Sequence, residues 1–257
     1  MIPLINRLYR KIFCRGGHGI HSPFVFDLIT TVIEEKRPFY CYEQLSAVRR
    51  QIGENCDKIE CCGREYAVKD ILSRFCFSER DSRLLFRLAN RFQPQSIYVF
   101  GSDLGLAPLY LTSWSERADC VVFEPVQSIA AIARKIVYKY SPASINISVS
   151  SNPEITDNRF VDLIVWGNSY TDTSKETRAT GDTDNRDNTF SIDTFRRFLP
   201  LVNDNSIMVI SGINSSGKNR DTWKMVCVAP KVSVTIDLYS LGIVFFNPKL
   251  HRKTYKN

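Results

Sequence analysis

From Ser96 onward the chain alternates short apolar runs with helical stretches, and this alternation restricts the possible folds more than any other feature. The candidate strands are 97–100 (IYVF), 120–124 (CVVFE), 145–149 (INISV), 161–166 (VDLIVW) and 206–210 (SIMVI). Between the second and third, Ile129, Ile132, Ala133, Ile136, Val137 and Tyr140 recur at the i, i+3, i+4, i+7 spacing of an amphipathic helix. Two β-rich runs at the end, 232–238 and 241–246, are too close together for a parallel crossover and predict an antiparallel hairpin. The expected fold is therefore α/β: a Rossmann-like, doubly wound, mostly parallel seven-stranded sheet with an antiparallel C-terminal hairpin.

Residues 1–95 carry helical patterns and no strand series, which predicts a helical N-terminal extension or cap ahead of a sheet domain over 96–257. Within it, SERDSRLLFRLANRFQP opens with polar and acidic residues, spaces Leu84, Leu85, Leu88 and Phe92 as a helix would, and stops before Pro94. At the start, Ile5, Leu8, Tyr9 and Ile12 share one helical face while Arg7, Arg10, Lys11 and Arg15 lie elsewhere, a pattern that suits contact with an anionic surface but is favoured here as a packed terminal helix with solvated arginines. The interval 171–190 holds only Ala179 and Phe190 as apolar residues and reads as a mobile loop after the fourth strand, either a lid at the ligand edge of the sheet or a solvated insertion.

Composition narrows the class of protein. The 257 residues are 44% apolar and 24% charged, ordinary for a globular chain with a sizeable core. A formal charge of +7 is compatible with an anionic partner, but the excess is spread along the chain and no interleaving of basic and aromatic residues marks an RNA reader, so nucleic acid is not the favoured partner. Eight cysteines without a CxxC pair, against three histidines, give no zinc-like spacing and suggest reduced thiols in a cytoplasm. No apolar run reaches membrane-spanning length.

Chemistry concentrates where the first sheet strand ends, in Gly101-Ser102-Asp103-Leu104-Gly105. A glycine turn running from a strand into a helix sets backbone N–H groups and a helix amino end beside the crevice, although such glycines also serve merely to close a turn. The next strand ends in Glu124, where a nucleoside-binding sheet accepts hydrogen bonds from ribose hydroxyls; the plainer reading is an exposed strand-end glutamate. A dinucleotide site wants a second glycine where this chain has Asp103, and a carboxylate there would repel a pyrophosphate while tolerating a cationic amino-acid tail. That combination favours S-adenosylmethionine.

With GHGIHSPFVFDLI near the start, FGSDLGLAPLYL at the glycine loop, VVFEP after it and SVTIDLYSLGIVFF near the end, the sequence resembles the class I S-adenosylmethionine-dependent methyltransferases, in particular a bacterial group related to the O-methyltransferases. The resemblance implies cofactor contacts at Gly101, Ser102, Asp103, Gly105 and Glu124. It also exposes departures: the acid two residues before the first glycine is replaced by Val99, and the carboxylates that metal-dependent relatives carry after the fourth and fifth strands are replaced by Gly167-Asn168-Ser169 and Ser211-Gly212. No catalytic metal is expected. A metal-free transfer wants a base, for which His21 is the candidate, although His-Ser-Pro before an apolar helix also reads as a helix cap. Asn168 and Asn214, at strand ends, could orient a substrate or only shape turns. The expectation is a methyltransferase whose acceptor, most readily a small molecule, the sequence does not name. The alternative is a chain that kept the fold, lost catalysis and serves as a binding module.

Overall fold

The computed structural model describes residues 21–61, 63–150, 159–167 and 190–257. The amphipathic pattern at residues 5–15 and nearly all of the 171–190 interval lie outside the described residues.

The amino-terminal part is mainly helical: α1 (Pro23–Leu28), continued by a π-helical turn at Ile29–Ile33, then α2 (Tyr40–Glu54), α3 (Val68–Phe75) and α4 (Glu79–Phe92). Local signals account for several ends. Ser22 caps α1 with Pro23 in its first turn, and the Ser78 hydroxyl accepts the Asp81 N–H at 3.1 Å to open α4. That helix stops at Phe92, where Gln93 takes a left-handed φ of 52° ahead of Pro94. One expectation fails here. Residues 58–61 and 64–67 form an antiparallel two-stranded hairpin, β1 and β2, turning at Gly63 with φ of 75°. Lys58, Glu60, Arg64 and Glu65 are exposed in it, and so few apolar residues in four-residue strands leave no readable alternation.

The sheet follows in the order expected: β3 (Ser96–Phe100), β4 (Asp119–Glu124), β5 (Ile145–Val149), β6 (Leu163–Trp166), β7 (Ile207–Ser211), β8 (Val234–Asp237) and β9 (Leu241–Phe245). Helices α5 (Leu106–Thr112), α6 (Gln127–Tyr140), α7 (Ile192–Phe198) and α8 (Gly217–Cys227) connect them. The class is α/β and doubly wound, with β9 antiparallel between β7 and β8. The sheet has eight strands rather than seven, in the order β10-β8-β9-β7-β6-β3-β4-β5. The addition is β10 (Lys253–Lys256), pairing parallel to β8. With Tyr255 its one apolar residue, it reads in sequence as a polar tail. Lysines on an edge strand also discourage further pairing.

Alternation along the strands assigns the two faces. Ile97, Val99, Val122, Val165 and Val209 turn into one core shared with α1 to α6, so the helical extension and the sheet bury their apolar residues together. Phe100, Ile164, Trp166, Met208 and Ile210 turn to the other face, under α7 and α8. On that side Phe100 stacks on Trp166 with centroids 4.1 Å apart and planes 17° apart, which makes both core residues rather than pocket walls.

Candidate functional site

The glycine loop sits at the carboxyl edge of the sheet, where β3 ends and α5 begins. Its backbone is far from ordinary: Gly101, Asp103, Leu104 and Gly105 have φ of 86°, 54°, 55° and 92°. Left-handed backbone costs an L-residue about 1–2 kcal/mol, so at Asp103 and Leu104 the surrounding contacts must hold the conformation. Gly105 has a second reason to be glycine. A Cβ there would lie 3.1 Å from the Ala133 carbonyl oxygen and 3.2 Å from the Ile136 Cβ, so its absence lets the loop rest directly on α6.

Glu124, at the tip of β4, is 0% exposed. Its Oε2 accepts the Ser102 backbone N–H at 2.8 Å and the Ser102 hydroxyl at 2.7 Å, and its Oε1 accepts the Val126 N–H at 3.0 Å. A buried carboxylate needs such donors to offset its desolvation, and here the loop supplies two of them. The reading of Glu124 as an exposed strand-end residue is therefore corrected. The carboxylate faces the loop and accepts a hydroxyl, the type of donor a ribose would present.

Asp103 closes the other flank. Its Oδ1 accepts the Phe77 N–H at 2.7 Å, from the segment between α3 and α4. The Phe77 carbonyl in turn accepts Arg49 Nη2 of α2 at 2.6 Å. Its second oxygen, Oδ2, has no aligned donor among the described residues, and the neighbouring Cys76 thiol is only a weak one. Burial pushes the Asp103 carboxyl up to about 7, against the pull of Arg49, Cys76 and the Phe77 N–H, with the Glu124 charge adding to the rise. Burial, then the Asp103 charge, holds the Cys76 thiol well above its usual range. No pattern in the sequence marks Arg49, Cys76 or Phe77 for this place, because they reach the loop from a helical segment with no motif of its own.

Gly101, Ser102, Asp103, Gly105 and Glu124 thus come together as expected. His21 does not join them. It is exposed ahead of α1, where Phe24 packs edge-on against Phe245 with centroids 5.1 Å apart. Phe245 is level with Ile207, the first residue of β7, so this is the amino edge of the sheet, opposite the loop. Asn214 ties a turn: its Nδ2 donates to the Tyr239 carbonyl at 3.0 Å, joining the exit of β7 to the β8–β9 hairpin. Asn168 lies outside the described residues. Among the described residues, no group of three or more His, Cys, Asp or Glu is arranged to hold a metal ion. A cavity of about 200 Å³ lies at the amino edge, between Phe92, Gln93, Pro94, Asp162, Asn205 and Ile207, away from the loop.

No family model matches the sequence, and no curated protein matches it. Solved structures do match in shape. A methyltransferase from Geobacter sulfurreducens is 13% identical, with 83% of this chain and 91% of that one covered at a TM-score of 0.53. An S-adenosylhomocysteine-bound methyltransferase from Podospora anserina is 14% identical, with 82% and 98% covered at a TM-score of 0.51. An O-methyltransferase from Bacillus cereus, in complex with S-adenosylhomocysteine, is 13% identical, with 86% and 96% covered at 0.50. With the strand order and the antiparallel β9, these likenesses show that the chain has the class I S-adenosylmethionine-dependent methyltransferase fold.

Proposed function

We propose that the chain is an S-adenosylmethionine-dependent methyltransferase acting on a small-molecule acceptor, without a resident metal. The observation that carries this reading is the pairing of the left-handed Gly101–Gly105 loop with Glu124 at the tip of the adjacent strand, on a fold whose Podospora and Bacillus members are solved with S-adenosylhomocysteine. The residues fit the nucleoside end of the cofactor. Glu124 accepts a hydroxyl from Ser102 at 2.7 Å, and a ribose hydroxyl would replace that donor with one of the same kind. At the amino-acid end Val99 is 0% exposed and offers no charge, and the buried Asp103 carboxyl accepts the Phe77 N–H at 2.7 Å, so the chain's hold on the cofactor rests on the nucleoside end.

When bound, S-adenosylmethionine supplies a methyl group already activated by its sulfonium. The chain's part is to orient and to exclude water. Glu124 would hold the ribose, while Gly105, lacking a Cβ, lets the loop rest on α6 and so fixes the loop beside it. Metal independence is supported by the strand ends: β6 runs into Gly167 and β7 into Ser211-Gly212, where a magnesium cage would need carboxylates. No helix among the described residues is long and apolar enough to cross a membrane.

The reading is tested by offering labelled S-adenosylmethionine with pools of phenols, carboxylic acids, amines and thiols, and measuring S-adenosylhomocysteine formed with and without a chelator. Turnover on at least one pool that survives chelation is expected. Turnover abolished by the chelator contradicts metal independence, and no turnover on any pool, together with no cofactor binding, leaves the fold as a binding module.

A further inference from the structure

We propose that the glycine loop is self-occupied: Ser102 and Asp103 fill the hydrogen-bonding positions on its two flanks from inside the chain, and a nucleoside ligand binds by displacing them. The proposal rests on the cofactor reading above and adds that the site is latched. On one flank the Ser102 hydroxyl and N–H occupy Glu124 Oε2, and Val126 N–H occupies Oε1, in a carboxylate that is 0% exposed. On the other, Asp103 reaches across to the Phe77 N–H at 2.7 Å and ties the loop to the α3–α4 segment, which Arg49 of α2 holds by the Phe77 carbonyl.

Two further observations mark this as a closed state that can open. Asp103 and Leu104 sit at φ of 54° and 55°, so the contacts that close the loop also hold strained backbone. Asp103 Oδ2 and Arg49 Nη1, both at this seam, are buried without a hydrogen-bond partner among the described residues. A packed seam with unsatisfied polar atoms loses less on parting than a saturated one. A ligand that recognises only the open loop has its apparent affinity reduced by the fraction of time the loop is open.

The test compares S-adenosylhomocysteine binding by the wild type, Asp103→Gly and Asp103→Asn in calorimetric titration. Glycine suits the left-handed position and removes the tie to Phe77, so that variant is expected to fold and to bind roughly tenfold tighter or more. Asparagine keeps an acceptor for the Phe77 N–H, tolerates the same backbone and removes only the charge, so it is expected to bind within about threefold of wild type. Equal binding by Asp103→Gly and wild type overturns the latch and leaves the cofactor reading standing. Tightening by Asp103→Asn as large as by Asp103→Gly overturns it in favour of a simple charge effect. Absence of binding in all three overturns the cofactor reading, and the latch with it.

Discussion

At the scale of single residues, Asp103 dominates the electrostatics of the loop. Its pKa rises from 3.8 to about 7 in the folded chain, so between those values the folded state holds a proton that the unfolded state has lost. Stability therefore falls as pH rises from about 4 to about 7 and is level above, by up to about 4 kcal/mol by linkage. The groups facing Asp103 are Arg49 of α2, Cys76 after α3 and Glu124 of β4. Asp103→Asn should flatten that slope, which denaturant midpoints measured across the pH range will show; an unchanged slope assigns it elsewhere. Gly105→Ala is expected to cost about 2 kcal/mol or more, from the left-handed backbone together with the 3.1 Å approach to the Ala133 carbonyl. Thermal unfolding reads this directly, and a neutral result contradicts the packing of loop on α6. None of these roles was legible in sequence beyond the glycines and Glu124, since each depends on a φ value or on a partner more than twenty residues away.

Among the elements, α4 ties the amino-terminal helices together. Its Arg87, 8% exposed, spreads its guanidinium over the Val32 and Ile33 carbonyls of the π-helical turn, at 2.6 and 3.2 Å, and over the Tyr42 hydroxyl at 3.2 Å. Arg87→Ala leaves those acceptors buried and is expected to destabilise by about 3 kcal/mol, with little rescue by lysine, which lacks the planar fork. Full rescue by lysine in chemical denaturation would show that charge alone matters. The elements themselves were legible in proportion to their apolar content. β3 to β9 and α6 announced themselves by period, whereas β1, β2 and β10, each four residues long, carry too few apolar residues to do so.

At the scale of the whole molecule, the sheet is closed at one end by β10 and at the other by β5, whose Ile147 carbonyl is held by Arg134 Nη2 of α6 at 2.8 Å. Deleting residues 253–257 would expose the β8 edge, Val234–Asp237, and is expected to lower thermal stability and promote self-association, measurable by light scattering. The fold class and the succession of strands along the chain could be read from the alternation of apolar runs because each buried parallel strand must be apolar on both faces. Whether the site is open could not, because closure depends on Ser102 and Asp103 bonding to distant parts of the fold. The central claim is that Glu124 and the glycine loop hold a nucleoside. It is tested most directly by calorimetric titration of the wild type and Glu124→Ala with S-adenosylhomocysteine. Saturable binding by the wild type, weakened at least tenfold in a variant that remains folded, is the predicted result. Binding that survives Glu124→Ala unchanged, or no binding by the wild type or by loop-opened Asp103→Gly, would contradict it.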